Sequence, residues 1–435
     1  MFEIREKPEM VERAMLVSIY FDPSEAGEKQ AMLDELEDLV SNLGIGIAGK
    51  HLIKSRDMHA KFLCGTGKAQ EVKQLALDCR ADCVVFDNML SPSQQREWER
   101  LVDECVIDRE EVILDIFARR ARTREATLQV ELARMQYSLP RMARMWNHLD
   151  RQGGGSGGGK GGGGAARGEG EKQIEVDRRL ARARIEAIQR ELVLVTRQRA
   201  TQRKERERQA VATAAIVGYT NAGKSSLLSL VSGSEVMARD MLFATLDTTT
   251  RKIELPHGQP LLLTDTVGFI RNLPHRLVEA FKSTLEEAVL ADFLIQVVDA
   301  SDPEAVRHYE TTLEVLNELG AGDKPMIVVL NKVDLVPEER RGALETLLAP
   351  HFSGRVVPMS VKEGNGDLLN ACVEMLESRV RRARFLIPYT RSDLVAAMHS
   401  EGKVFSTEYV EEGTLLEAVL PVAFYNKLES FLADR

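Results

Sequence analysis

A glycine-rich segment at residues 218–225 carries the residue types that bind phosphate. Its sequence, GYTNAGKS, fits the pattern G-x-x-x-x-G-K-[ST] and lies between the apolar run ATAAIV and the helix-like run SSLLSLV. In such a loop, backbone N–H groups surround the phosphates, Lys224 reaches the β- and γ-phosphates, and the Ser225 hydroxyl ligates Mg²⁺. The predicted nucleotide contacts are Gly218, Tyr219, Thr220, Asn221, Ala222, Gly223, Lys224, Ser225 and Ser226.

A second motif, DTVG, follows the apolar run PLLLT. It places the Asp265 carboxylate at the end of a predicted strand, near the Mg²⁺, and lets Gly268 offer its backbone N–H to the γ-phosphate. Asp and Gly are also the commonest turn residues, so the motif taken alone is better explained as a strand-ending turn. The predicted contacts here are Asp265, Thr266, Val267 and Gly268.

A third motif, NKVD, follows the apolar run MIVVL. The Asp334 carboxylate matches the N1–H and 2-amino donors of guanine, whereas adenine has an acceptor at N1 and no 2-amino group. The predicted base contacts are Asn331, Lys332, Val333 and Asp334, with Ser360, Val361 and Lys362 from the later SVK as a fourth motif. All of these motifs follow apolar strands, and open α/β sheets bind ligands at that edge. A P-loop domain that binds GTP and GDP is therefore predicted.

The polar segment LFATLDTTTR at residues 242–251 is predicted to fold over the nucleotide. Thr245 is the expected ligand that joins Mg²⁺ to the γ-phosphate only in the triphosphate state, with Phe243 and Ala244 beside it. The competing hydroxyls are those of Thr248, Thr249 and Thr250. The predicted catalytic residues are then Lys224, Thr245 and Gly268, and the predicted Mg²⁺ ligands are Ser225, Thr245 and Asp265.

Two positions bear on how GTP would be hydrolysed. Phe269 follows Gly268, where many GTPases carry a glutamine that orients water, and an apolar ring cannot do so. Either Phe269 only packs, or intrinsic hydrolysis is slow and the water is positioned by a partner or by other residues. Asn221 adds the hypothesis of a potassium ion beside the phosphates, where it would spread transition-state charge.

Charge and composition restrict the class of protein. The 435 residues are 44% hydrophobic and 29% charged, which is typical of an ordered, soluble protein. Residues 119–208 hold 22 Lys+Arg and 11 Asp+Glu, so this segment is +11 within a chain of net charge −9. The five cysteines form no C-x-x-C pair, which indicates a reducing compartment and argues against zinc. The charged N-terminus and the lack of an apolar run of ~20 residues predict no signal peptide and no membrane span.

The order of apolar and amphipathic runs predicts an α/β protein of four parts. Residues 1–108 alternate strands, including LVSIYF, KFLCG and CVVFD, with helices, which indicates an α/β domain with a parallel sheet. A basic antiparallel helical hairpin is predicted at 109–208, the P-loop GTPase domain at 211–378, and a small C-terminal α/β domain at 379–435.

The hairpin is predicted from two heptad stripes that flank a glycine tract. The first stripe is Leu128, Leu132, Met135, Leu139, Met142, Trp146 and Leu149, and the second is Ile185, Ile188, Leu192 and Val195. Pro140 should kink or divide the first helix. Residues 153–170 contain 12 glycines in 18 positions, which is consistent with a flexible linker or with a mobile tip on the arm.

The motifs GYTNAGKS, LFATLD, LLTDTVGFIRNLPH and NKVD, with SPSQQREWE, ILDIFARRARTREATLQVELARMQY, LPRM and GEGEKQIEVDRR, resemble the HflX family of GTPases. The match covers about residues 50–340. The resemblance implies binding to the large ribosomal subunit, ribosome-stimulated GTP hydrolysis, and separation of stalled or idle ribosomes under stress. It also implies that the glycine tract reaches toward the peptidyl-transferase region. The chain departs from the family in having Asp247-Thr248 where Asp-Pro is frequent, and in a longer tract.

Two groups of arginines also favour an RNA partner, because arginine makes bidentate contacts with phosphate. The first group precedes the first heptad stripe and the second opens the second helix: Arg119, Arg120, Arg122 and Arg124, then Arg178, Arg179, Arg182 and Arg184. Some of them are expected instead to pair with Glu125, Asp177 or Glu186 on a solvated helix face. The alternatives to a ribosome-splitting GTPase are a ribosome-assembly or protein-interaction switch, and an ATP-driven RNA-remodelling enzyme that uses Gly65-Thr-Gly-Lys68. We expect a cytoplasmic protein, allowing for a peripheral membrane-associated fraction, that is monomeric when free.

Overall fold

The computed structural model describes residues 11–144, 175–195, 211–233, 243, 246, 248–256, 258–272, 282–348, 355–364, 367–376 and 380–433. The chain divides into two compact units, residues 1–193 with 272–280 and residues 194–271 with 281–435.

The first unit contains a parallel sheet with helices in the connections. Its strands are β1 (Arg13–Tyr20), β2 (Gly46–Lys54), β3 (Cys83–Phe86) and β4 (Cys105–Asp108), in the order β2-β1-β3-β4. Every neighbouring pair in this sheet is parallel. The connecting helices are α1 (Ala26–Asn42), α2 (Thr66–Cys79) and α3 (Pro92–Val102). The predicted parallel α/β domain is confirmed.

The strand predicted at KFLCG is wrong. Residues 61–64 form a turn in which Phe62, Leu63 and Cys64 are buried, so their apolar character reflects packing and not extension. The φ angle of Leu63 is +60°, which an extended strand cannot contain. The strand of this region is β2 instead, an edge strand that is mostly half-buried and carries charges and glycines. The Gly65-Lys68 run begins α2, and Lys68 forms an ion pair with Glu71 (2.6 Å).

Three helices follow: α4 (Arg109–Arg120), α5 (Arg124–Ser138) and α6 over residues 175–195, of which residues 175–193 belong to the first unit. As predicted from Pro140, the α-helix ends at Ser138 and the chain continues as a 3₁₀-helix over Leu139–Arg144. Trp146, Leu149 and the glycine tract at 153–170 lie outside the described residues.

Ion pairs show that α5 and α6 are antiparallel. Arg124 pairs with Glu191 (3.0 Å), and Glu131, seven residues further along α5, pairs with Arg184 (2.7 Å), seven residues earlier on α6. In the predicted seam, Leu128 and Ile188 are buried and the other described members are half-buried, apart from Met142, whose burial is not described. A stripe that was not predicted is buried more deeply on α5, and consists of Ala126, Val130, Ala133 and Tyr137.

The second unit contains the larger parallel sheet. Its strands are β5 (Ala212–Gly218), β6 (Thr249–Glu254), β7 (Pro260–Asp265), β8 (Phe293–Asp299), β9 (Met326–Asn331) and β10 (Arg355–Pro358), in the order β10-β9-β8-β5-β7-β6. Its helices are α7 (Lys224–Ser232), α8 (Lys282–Leu290), α9 (Ala305–Glu318), α10 (Glu338–Leu348) and α11 (Leu368–Leu376). All strand pairs are parallel except β6 with β7. The predicted P-loop architecture is confirmed, and the antiparallel edge strand β6 was not predicted.

The C-terminal residues of the second unit form a small antiparallel sheet, β11 (Val380–Ile387), β12 (Lys403–Val410) and β13 (Gly413–Pro421), in the order β11-β13-β12. Helices α12 (Ser392–Glu401) and α13 (Val422–Lys427) pack with it around Phe385, Leu416 and Leu420. The alternation of strand and helix was predicted, but the antiparallel pairing was not. Within the described part of the chain, no helix is long and apolar enough to cross a membrane.

Candidate guanine-nucleotide site

The predicted phosphate loop lies between the end of β5 and the start of α7, where its backbone conformation requires glycine. Gly218 has φ +142°, and a Cβ at that position would lie 2.3 Å from the carbonyl oxygen of Val297. Gly223 has φ +99°, and its Cβ would lie 2.2 Å from Asn331 Nδ2. Both glycines therefore let the loop approach the neighbouring strands more closely than any other residue would.

Lys224 is buried at the end of this loop, where α7 begins. Its ammonium group donates a hydrogen bond to the backbone oxygen of Tyr219 (2.7 Å). Burial lowers the pKa of Lys224 to about 8, and the negative charge of Asp265 acts in the opposite direction. A phosphate group bound by the backbone N–H groups of this loop would neutralise the charge of the buried ammonium.

Two of the predicted Mg²⁺ ligands are in contact. Ser225 Oγ donates to Asp265 Oδ2 (2.6 Å), and Asp265 is almost fully buried at the end of β7. Hydroxyl and carboxylate oxygens are the ligands that Mg²⁺ prefers, so these residues fit that ion. Thr245 and Ala244 lie outside the described residues. Phe243 is buried, and Thr250, a competitor of Thr245, belongs to β6 with its hydroxyl 2.9 Å from Thr264 Oγ1.

The Asn331 side chain joins three of the predicted motifs. Its Nδ2 donates to the backbone oxygen of Ala222 in the phosphate loop (2.8 Å), and its Oδ1 accepts from the N–H of Val361 (3.2 Å). The phosphate loop, NKVD and SVK are therefore held at one edge of the sheet. Lys332 forms an ion pair with Asp299 (2.6 Å). Asp334 is exposed in the short 3₁₀-helix that follows β9, which leaves its carboxylate available to a base.

Several of the other predicted contacts have buried side chains. The hydroxyl of Thr266 donates to the backbone oxygen of Ile216 (2.7 Å) and is fully buried, so this side chain fastens the end of β7 to β5. Val267 and Ser360 are also buried, whereas Lys362 is exposed. The side chain of Phe269 is buried, in agreement with a packing role.

The sequence did not indicate the surroundings of Tyr219. Its ring stacks on His308 of α9, with 3.7 Å between ring centroids and 7° between ring planes. Its hydroxyl accepts a hydrogen bond from the backbone N–H of Arg271 (2.8 Å), and the Arg271 guanidinium pairs with Glu304 (3.0 Å). No local pattern announces such contacts, because they join segments that are distant in the chain.

Several of the arginines proposed to bind RNA have internal partners. Arg119 donates to the backbone oxygen of Leu43 (2.7 Å) and Arg120 to Asn42 Oδ1 (2.9 Å), both at the end of α1. Arg124 and Arg184 form the ion pairs between α5 and α6 with Glu191 and Glu131, which were not the predicted partners. Arg179 and Arg182 are exposed on α6.

Three family models match successive parts of the chain. Residues 30–118 match the model described as GTP-binding GTPase N-terminal, and residues 120–206 match the GTP-binding GTPase Middle Region. Residues 213–332 match the 50S ribosome-binding GTPase model.

The relatives extend over the whole chain. GTPase HflX of Akkermansia muciniphila is 99% identical over 437 aligned positions, which cover 100% of both chains. GTPase HflX of Chlamydia pneumoniae is 39% identical over 99% of this chain and 90% of its own. A crystal structure of a GTP-binding protein from Sulfolobus solfataricus with GDP is 23% identical, with a TM-score of 0.42 over 84% of this chain and 99% of that one. Because these two HflX proteins are 99% and 39% identical to the chain over nearly its whole length, the chain belongs to the HflX family of GTPases.

Proposed function

We propose that this protein binds the large ribosomal subunit in its GTP state, separates stalled or idle ribosomes into subunits under stress, and leaves after GTP is hydrolysed to GDP and phosphate. The observation that carries the nucleotide part is the Asn331 amide, which holds the phosphate loop and both base-contact motifs at one edge of the sheet. The ribosomal part is supported by the match of residues 213–332 to the 50S ribosome-binding GTPase model.

Within the pocket we assign the following roles. Ser225, Asp265 and Thr245 would hold Mg²⁺, which supplies charge neutralisation at the phosphates. The phosphate loop binds the α- and β-phosphates through its backbone N–H groups, and Lys224 balances their charge. Gly268 offers its N–H to the γ-phosphate. We also infer that Asn221 helps to hold a potassium ion.

The guanine base is recognised at the adjoining loops. Asp334, exposed after β9, accepts hydrogen bonds from N1–H and the 2-amino group. The segment of Ser360, Val361 and Lys362 lies against the base because Asn331 fixes the N–H of Val361. A carboxylate at this place excludes adenine, which has no donor at N1.

The ribosome would be contacted by the helical hairpin. Exposed arginines on α6, including Arg179 and Arg182, suit rRNA phosphates, and the glycine tract at 153–170 would reach toward the peptidyl-transferase region. We also propose the four-part division at residues 108, 208 and 378, a cytoplasmic location that allows for a peripheral membrane-associated fraction, and a monomer when the protein is free.

The test measures GTP hydrolysis with and without purified large subunits, for the intact protein and for a variant with residues 153–170 shortened. We expect the subunits to stimulate the intact protein strongly and the shortened variant less, because the tract would no longer reach its site. Lys224→Ala is the control that abolishes turnover without changing the hairpin. No stimulation of the intact protein would remove the ribosome from the proposal.

A second candidate, a switch whose hairpin binds another protein, is favoured by exposed apolar side chains at Val176 and Leu180, one helical turn apart on α6. Salt distinguishes the two. Contacts to rRNA phosphates predict a steep loss of large-subunit binding as ionic strength rises, whereas an apolar helix interface predicts little change.

A further inference from the structure

Three hydrogen bonds fasten the segment after Asp265 to the phosphate loop. The N–H of Phe269 donates to the backbone oxygen of Gly218 (3.1 Å), and the N–H of Thr220 donates to the backbone oxygen of Phe269 (2.9 Å). The third bond runs from the N–H of Arg271 to the hydroxyl of Tyr219 (2.8 Å). The side chains of Tyr219, Phe269 and Arg271 are all buried, so water does not compete for these bonds.

The hydroxyl of Tyr219 is held in a fixed position. The Tyr219 ring is stacked parallel to the ring of His308. Tyr219 itself is part of the loop that begins at Gly218. The Arg271 side chain is in turn held by Glu304, which precedes α9. Tyr219 therefore links the phosphate loop, the start of α9 and the segment that ends at Arg271.

The same arrangement brings Gly268 against the lysine of the loop. A Cβ on Gly268 would lie 2.9 Å from Lys224 Nζ and 3.0 Å from Thr220 Cα. Lys224 itself donates to the backbone oxygen of Tyr219. A γ-phosphate that contacts both Lys224 and the N–H of Gly268 must come between these two residues. GDP has no such group, so it leaves the segment 268–271 where it is.

We propose that the Tyr219 hydroxyl is a latch that holds residues 268–271 on the phosphate loop and thereby weakens the binding of GTP relative to GDP. The cost falls on GTP alone, because only the triphosphate displaces Gly268 from Lys224. Tyr219 thus acts as a positioning residue for the switch segment, without contact to the phosphates through its side chain. This inference rests on the proposed nucleotide pocket.

Tyr219→Phe removes the hydroxyl and keeps the ring that stacks on His308. The variant loses the hydrogen bond and leaves the Arg271 N–H without its acceptor in the latched state. A buried hydrogen bond of this kind is worth about two- to tenfold in an equilibrium constant. We therefore expect the Kd of a non-hydrolysable GTP analogue to fall about two- to tenfold while the Kd of GDP stays within about twofold. Tyr409→Phe is the matched control, because it deletes the same atom at a side chain that is 77% exposed on β12.

The experiment measures both Kd values by calorimetry with Mg²⁺ present, for the unchanged protein and the two variants. An unchanged ratio of the two Kd values in Tyr219→Phe, in a protein that binds both nucleotides, would overturn the latch and leave the pocket standing. Failure of the unchanged protein to bind either nucleotide would overturn the pocket and the latch together.

A second measurement needs no variant and covers the case in which Tyr219→Phe does not fold. Deuterium exchange of residues 266–272 is followed in the unchanged protein with GDP and with the GTP analogue. The latch predicts faster exchange of the Phe269 and Arg271 amides with the analogue, since their acceptors are lost. Equal or slower exchange with the analogue would overturn it.

Discussion

Replacing Asn331 by Asp is the most direct test of the bridge between the motifs. Asn331 is 3% exposed, and its Nδ2 donates to the backbone oxygen of Ala222 at 2.8 Å. An aspartate has the same shape, but it presents an oxygen where the loop needs a donor. Its other oxygen still accepts from the N–H of Val361, so the contact with the SVK segment survives. The perturbation is confined to the phosphate-loop side of the bridge.

The expected cost comes from two effects. The lost hydrogen bond accounts for about 1 kcal/mol, and the carbonyl of Ala222, left without a donor and facing a carboxylate, adds about 1–3 kcal/mol. The free loop can move away from the carboxylate, so the cost appears when a nucleotide brings the loop back. A total of about 2–4 kcal/mol corresponds to a Kd for GDP raised roughly 30- to 1,000-fold.

The assay is calorimetric titration of GDP at two pH values. Below its own pKa the introduced carboxyl carries a proton and donates to Ala222 again, so Asn331→Asp should recover part of its affinity as the pH falls. The matched control is Asn317→Asp, which makes the same change on the exposed end of α9 and should leave the Kd unaltered. A Kd for Asn331→Asp within threefold of the unchanged protein, at neutral pH, would refute the reasoning.

Two further predictions concern the ends of the nucleotide. Asp334→Asn removes the charged acceptor for N1–H and the 2-amino group, and each hydrogen bond to a charged group is worth about 1.5–3 kcal/mol, so the affinity for GTP should fall at least tenfold. Xanthosine triphosphate has an oxygen at position 2 that the new amide can donate to, so its affinity should rise. Competition between the two triphosphates measures both changes, and an unchanged preference for GTP would place base recognition at another residue. Lys224, with a pKa of about 8, is charged below that pH and loses its proton above it, so GDP affinity should be constant below pH 8 and fall by up to tenfold per pH unit above it. Lys224→Arg, which stays charged, should flatten the profile, and a flat profile in the unchanged protein would contradict the assignment.

The sequence predicted the convergence of the motifs at one edge of the sheet because its signals are local. GYTNAGKS, DTVG and NKVD each follow an apolar strand, and parallel strands end at the same edge, so their convergence needs no knowledge of distant contacts. The same reasoning missed β6, which is built from the polar run TTRKIE and pairs with β7 alone as an edge strand. An edge strand has one bonded neighbour and a polar composition, so its sequence resembles that of a loop.

The KFLCG segment shows the opposite error. Its apolar residues are buried, yet the positive φ of Leu63 turns the chain, and the apolar run is packed without being extended. Burial and extension leave the same mark on a short sequence, and only the fold separates them. The Tyr219 contacts could not be predicted for another reason. Its ring stacks on His308 and its hydroxyl accepts from Arg271, and both residues are distant in the sequence, so no local pattern indicates these contacts.

The arginines of the hairpin set a limit on what net charge can say about an RNA partner. Arg124 on α5 pairs with Glu191 on α6, and Arg184 on α6 pairs with Glu131 on α5. The two ion pairs are seven residues apart on each of these antiparallel helices. Such exposed pairs contribute little to stability, about 1 kcal/mol or less each, but they favour one register of α5 against α6. Loss of ribosome binding in a variant of Arg184 would therefore report a shifted hairpin as readily as a missing phosphate contact. Arg179 and Arg182 are exposed on the same helix. A weaker salt dependence of ribosome binding in a variant of either arginine would therefore report the loss of a contact with RNA phosphate.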